Sequence, residues 1–162
     1  MTTGGIEHDM ERVVGSLAGV SGHTFDAIYD LLFTTERVIA VIIQHPTDIP
    51  YRPKVTELFI GRGRAMRGEQ LERQQIAESR RRALKERTPD VLVALHPLNF
   101  GIYYSVITSA EVKRGRFQSH LEFHVYEAST VGRRVRFAIT KKQIPDAERL
   151  LDLVLPTKSK GT

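Results

Sequence analysis

The run Phe117-Gln118-Ser119-His120-Leu121-Glu122-Phe123-His124-Val125-Tyr126 decides the class of fold. Leu121, Phe123 and Val125 alternate with His120, Glu122 and His124. A period of two puts three apolar side chains on one face of a strand and three polar ones on the other. One face meets a core and the other meets water, which is the habit of antiparallel sheets rather than of parallel sheets buried on both sides. Upstream, Arg114-Gly115 reads as a hairpin turn after a strand-like segment over residues 102–112. Downstream, a turn over residues 129–132 leads to Val135, Phe137 and Ile139, alternating with Arg134, Arg136 and Ala138.

Working outward, the N-terminal third repeats the theme. Residues 12–20 read as a first strand closed by a turn at Ser21-Gly22-His23-Thr24, and residues 27–34 and 37–44 form a hairpin around Thr34 to Arg37. Pro46 and Pro50 end it, because proline cannot donate to a sheet ladder. Residues 55–60 read as one more short strand, and residues 91–95 suit either a strand or a helical turn.

Two segments read as helices. Residues 65–86 lack proline and are rich in Arg, Glu, Gln, Leu and Ala, all good helix formers. The apolar seam there is thin: Met66, Ala77 and Leu84 align, Ile76 and Ala83 flank them, Leu71 points elsewhere, and Arg73, Arg80 and Arg87 interrupt the stripe. Such a helix packs lightly on its domain or awaits a partner. At the C-terminal end, Pro145 suits a first helical turn and Asp146 the positive end of the dipole, while Ala147, Leu150, Leu151 and Val154 make one apolar stripe before Pro156.

Strands segregated from helices define an α+β protein. The 162 residues suit one domain, 41% hydrophobic and 27% charged, with a core large enough to need no metal or disulfide. The expected organisation is a flexible start over residues 1–10, one domain over 11–155 and a solvated tail over 156–162, with residues 62–88 an inserted basic helix. The absence of cysteine excludes disulfides, thiolate nucleophiles and thiolate metal sites. No run approaches the ~20 apolar residues of a membrane-spanning helix, and no cationic start leads into an apolar stretch. A cytoplasmic protein is the expectation.

Residues 30–41, Asp-Leu-Leu-Phe-Thr-Thr-Glu-Arg-Val-Ile-Ala-Val, resemble the hairpin with a Thr-x-x-Arg turn found in bacterial and archaeal pleckstrin-homology-like domains. Residues 102–117 are similar to the aromatic, Ser-x-Ile, acidic-Val-Lys-x-Gly pattern of the same families. The resemblance spans residues 12–155 if residues 62–87 are an insertion. It implies a partly rolled antiparallel β-barrel capped by the C-terminal helix, a scaffold that binds lipids, peptides or proteins and carries no active site. One departure stands out. The loop over residues 19–24, where phosphoinositide-binding members cluster Lys and Arg, holds only His23.

Charge points to a contact segment. The chain carries a net charge of +5, and residues 62–87 hold nine basic residues (Arg62, Arg64, Arg67, Arg73, Arg80, Arg81, Arg82, Lys85 and Arg87) against Glu69, Glu72, Glu78 and Glu86. The rest of the chain balances at fifteen of each sign. Arg73, Arg80 and Arg87 recur about every 10.5 Å along a helix, a spacing that reaches successive phosphates without reading bases. The same helix facing anionic lipid lacks the large apolar residues that insert. The commoner meaning of such a run is a solvated charged helix.

No catalytic or ligand set follows from the spacing of the histidines and carboxylates. His120, Glu122 and His124 share a strand face, yet the two histidines lie about 13 Å apart, too far to ligate one ion at ~2.1 Å; a solvent-facing polar stripe is the expectation. His8, His23, His45 and His96 follow no nucleophile–base pattern. Residues 61–68, Gly-Arg-Gly-Arg-Ala-Met-Arg-Gly, match neither dinucleotide nor Walker spacing and read as a flexible helix entry whose arginines suit a phosphate non-specifically. The sequence therefore points to a non-catalytic binding or scaffold module without cofactor or metal. Its basic helix contacts a protein or a phosphate-bearing polymer or surface, with an RNA- or ribosome-associated protein as the alternative. Self-association stays open.

Overall fold

The computed structural model describes residues 10–22, 27–48, 61–127 and 130–160, with backbone alone at 61–67, 127, 130–131 and 160. The expected strand over 55–60, His8, His23 and nearly all of the 1–10 segment lie outside the described residues. The order of elements is β1 (Val13–Ser21), β2 (Ile28–Thr34), β3 (Arg37–Gln44), α1 (Gly61–Glu86), α2 (Pro89–Ala94), β4 (Phe100–Tyr103), β5 (Ile107–Lys113), β6 (Ser119–Glu127), β7 (Thr130–Ile139), α3 (Ile144–Val154) and β8 (Ser159–Lys160). This is an α+β fold. Seven antiparallel strands and the short parallel β8 form one open sheet in the order β4-β3-β2-β1-β7-β6-β5-β8.

The sheet consists of two halves. β1 to β4 pair in sequence order, as do β5 to β7, and the halves meet at the single pair Ser21–Ala138. Where β1 leaves β7, α3 fills the gap. Gly15 of β1 lies so close to Leu150 that a β-carbon would collide with it, and Gln143 Nε2 donates to the Ala18 carbonyl at 2.5 Å. Of the predicted stripe of α3, Ala147, Leu150 and Leu151 are buried and Val154 is half-buried, and Ile144 joins them in the core. A capping box that tightens the turn preceding the helix, Thr140 with Gln143, escaped the sequence reading.

The main core draws on both halves through Leu31, Phe33, Ile102, Leu121, Phe123, Phe137 and Leu150. At about 1.5–3 kcal/mol for each large apolar side chain, this burial is the dominant attraction in the fold. Tyr29, Phe100 and Phe137 form an aromatic trio with ring centres 6.0–6.2 Å apart.

The Thr-x-x-Arg turn is a structural lock. Thr34 Oγ1 accepts from the Arg37 amide at 2.9 Å, and Glu11 grips the Arg37 guanidinium through two bonds of 2.9 Å. Arg37 also donates to the Tyr103 hydroxyl at 3.1 Å, which ties the turn to β4. The contacts with Glu11 hold the guanidinium in its charged form against the cost of burial.

Several expectations change. Residues 102–112, read as one strand, divide into β4 and β5 around a 3₁₀ turn (Tyr104–Val106). The Tyr104 amide donates to the Glu36 carbonyl and its hydroxyl to the Thr34 carbonyl, so the β2–β3 turn pins the break. The two terminal regions of the sheet are therefore three residues apart in sequence, and the sheet bends without closing into the expected barrel. Residues 91–95 resolve toward helix, as α2. The glycine-containing entry at 61–68 is helical backbone. Of the expected solvated tail, residues 159 and 160 pair with β5, and the Ala110 amide donates to the Lys158 carbonyl.

The two half-sheets differ on the side away from the core. Against β2 and β3, α1 and α2 build a second apolar cluster of Leu32, Ile39, Val41 and Leu92, flanked by Leu84 and Val93. β3 is consequently buried on both faces, which accounts for its unbroken β-branched run. Among the described residues, no helix covers the corresponding face of β5 to β7.

Candidate functional site

The basic helix is anchored by its own arginines. Arg80 donates to the Ile43 carbonyl at 3.0 Å and forms a fork with Asp48 at 2.7 and 2.8 Å. Burial raises the Asp48 carboxyl, but the Arg80 and backbone hydrogen bonds outweigh it and hold its pKa below the usual value. Arg81 reaches Asp30 at 2.9 and 3.1 Å, and Asp30 also accepts from the Gly19 amide at 2.9 Å. Gly19 has φ of +70°, a left-handed conformation that glycine adopts without strain and that serves the irregularity in β1 between Leu17 and Val20.

These pairings change the charge account of α1. Over residues 68–87 six basic residues face four acidic ones, so the formal excess of two equals the two arginines answered by Asp48 and Asp30. Arg73, Arg82, Lys85 and Arg87 remain against Glu69, Glu72, Glu78 and Glu86. Arg82 is highly exposed, with Glu78 at 3.9 Å; Lys85 and Arg87 are exposed and Arg73 is half-buried. Arg62, Arg64 and Arg67 lie in the first turns, where only the backbone is described. Leu71 is exposed, as its position on the helical wheel predicts. An open groove runs along Glu72, Gln75, Ile76 and Ser79 to Arg80.

The strand face of His120, Glu122 and His124 holds what sequence reasoning missed. Instead of a solvated stripe, Glu122 is wholly buried. Lys113 Nζ at 3.0 Å and Arg134 Nε at 3.2 Å meet its Oε1, Arg136 meets its Oε2 at 2.9 Å, and His124 Nε2 stands 2.9 Å from Oε1. Burial pushes the carboxyl up, but contacts with Lys113 and Arg136 and the charge of Arg134 leave its pKa below the ordinary value. Cross-strand register explains the gathering: Glu111 and Arg136 sit opposite Glu122, and Arg134 sits opposite His124.

Glu111, Glu122 and His124 offer ligand atoms within 4.8 Å of one another, and His120 is not among them. Lys113, Arg134 and Arg136 already occupy the space around the carboxylate, so a cation would have to displace them. The other described histidines serve turns: His45 Nδ1 meets Thr47, and His96 Nδ1 accepts from the Leu98 amide.

A signal for this region was present in the chain. Residues 113–142 hold eight basic residues (Lys113, Arg114, Arg116, Arg133, Arg134, Arg136, Lys141 and Lys142) against Glu122 and Glu127, an excess of six. Acidic residues elsewhere concealed it when everything outside 62–87 was counted together.

No protein-family model, curated protein or solved structure matches this chain.

Proposed function

We propose that the protein is a non-catalytic binding module of pleckstrin-homology-like fold that engages a protein partner through the outward face of α1. Four strands followed by three, with a C-terminal helix seated where the halves part, support the fold reading. The observation that carries the functional reading is the mode of attachment of α1. This 26-residue helix is anchored through Ala77, Arg80, Arg81 and Leu84, while Leu71, Gln74, Gln75, Glu78, Arg82 and Lys85 face outward. A mixed-charge face with balanced signs suits a polar protein interface, where charges fix register and orientation.

The second reading is a phosphate-bearing polymer, favoured by the basic excess of residues 113–142. Co-purification from native lysate at low and high salt, with and without nuclease, separates the two. The comparison uses the intact chain and an Arg82→Glu, Lys85→Glu variant, which changes the outward face and spares the anchoring Arg80 and Arg81. A protein partner that survives nuclease and is lost from the variant supports the α1 reading. Absence of any nuclease-resistant partner, or one that the variant retains unchanged, rejects it.

A further inference from the structure

From the face of β5, β6 and β7 that no described helix covers we infer a binding surface for single-stranded nucleic acid, with phosphates held by Lys113, Arg134 and Arg136 and bases stacked on Phe117 and Tyr126. The surface is separate from α1 and does not rest on the α1 reading.

Three observations carry it. First, the cations are pre-positioned. Glu122 is fully buried and draws Lys113, Arg134 and Arg136 together at 2.9–3.2 Å, yet their side chains stay 43%, 55% and 32% exposed. A carboxylate beneath three cations fixes their rotamers and leaves donors facing solvent, so less side-chain freedom is lost when a phosphate arrives. Secondly, further positive charge borders the cluster. Ser119 pairs with Ile139, so the β5–β6 turn carrying Arg114 and Arg116 and the β7–α3 connection carrying Lys141 and Lys142 leave the sheet at the same end. Arg114 is engaged by Glu148, whereas the Arg116 guanidinium lies 5.7 Å from the Phe117 ring centre.

Thirdly, exposed rings stand at both ends of the strip. Phe117 in the turn is 94% exposed and Tyr126, two residues beyond His124, is 61% exposed. The strand between them from Ser119 to Tyr126 covers about 24 Å. Cations between aromatic platforms are what a single strand requires: phosphates track the positive strip and each base offers a π-face to a ring.

The alternatives fit less well. A bilayer needs a continuous apolar face, and here two isolated rings are separated by charged side chains. An acidic peptide would use the cations and leave the rings idle.

The test is fluorescence anisotropy with the full chain and 5′-fluorescein-labelled U12 and dT12, from 50 to 300 mM NaCl. Three phosphate contacts predict log K falling with log salt at a slope of about −2. Changing Arg134 and Arg136 risks the fold by stripping Glu122, so the decisive variant is Phe117→Ala with Tyr126→Ala. It should bind at least about twentyfold more weakly, given the worth of two base–ring stacks, with an unchanged thermal midpoint. The inference is overturned by absence of binding at 50 mM NaCl, by equal affinity of the ring variant, or by binding only to phosphatidylcholine vesicles containing 30% phosphatidylserine. Loss of binding in the Arg82→Glu, Lys85→Glu variant but not in the ring variant would move the site to α1 and equally overturn it.

Discussion

The outer faces of the two half-sheets solve the same problem in opposite ways. Behind β2 and β3 the chain lays two helices over Leu32, Ile39 and Val41, so that the sheet becomes a middle layer. Behind β5 to β7 it lays no helix among the described residues and instead covers Glu122 with the cations of its neighbours. Apolar side chains need another element to exclude water, whereas long basic side chains can cover a strand with their own stems and keep their charges wet. The first face contributes its stability through apolar burial, and the second, among the described residues, through ion pairs whose cations stay partly exposed.

The sharpest way to break this contrast is Ile39→Ala, beneath the helices, where the sheet side chain is fully buried. A loss of about 2–5 kcal/mol in urea unfolding is expected, as for other large-to-small core changes. A loss below about 1 kcal/mol would mean that the helices cover β3 only loosely.

Glu122→Ala tests the other face, leaving three cations crowded without their anion. Because Lys113 and Arg134 keep partial access to water, the expected cost is about 1–3 kcal/mol, below that of a fully sequestered pair. Its pH dependence has a defined sign. The folded pKa of Glu122 is lowered, so the folded state holds fewer protons in the acid range. The contribution is complete above the unfolded value of about 4.3 and disappears as pH falls through the folded value. The stability gap between the intact chain and Glu122→Gln should therefore narrow below about pH 4, and a gap that widened there would contradict the ion-pair account.

Arg81→Ala sharpens the comparison at the smallest scale. It leaves Asp30 with the Gly19 amide but without its guanidinium, at an expected cost of about 1–2 kcal/mol. Amide exchange in α1 should rise more than in β2, since one of two ionic anchors is removed; equal change in both would show that helix and sheet open as one unit.

Much of the fold was legible because local patterns and tertiary structure agree. The alternation of Leu121, Phe123 and Val125, the Thr34–Arg37 turn and the stripe of Ala147, Leu150 and Leu151 each report a face that is buried. The break between β4 and β5 was not legible, because Tyr104 is held by the Thr34 and Glu36 carbonyls, about 70 residues back in the chain. The candidate site was legible only in part. Arg80 and Arg81 read as candidate contacts for an anionic partner, whereas Asp48 and Asp30 hold them to the sheet side of the helix. Glu122 read as solvent-facing because a period of two assigns a face and says nothing of what neighbouring strands bring to it.

The sequence by itself determined the α+β class, the main hairpins, the amphipathic C-terminal helix, the absence of thiol chemistry and the total of basic charge, since these follow from residue type and period along one segment. Only the tertiary structure decided which arginines anchor and which face outward, and which strand face is covered by helices. The physical reason is that a charge is defined by its surroundings: whether it holds the fold or a partner depends on carboxylates brought to it from distant parts of the chain.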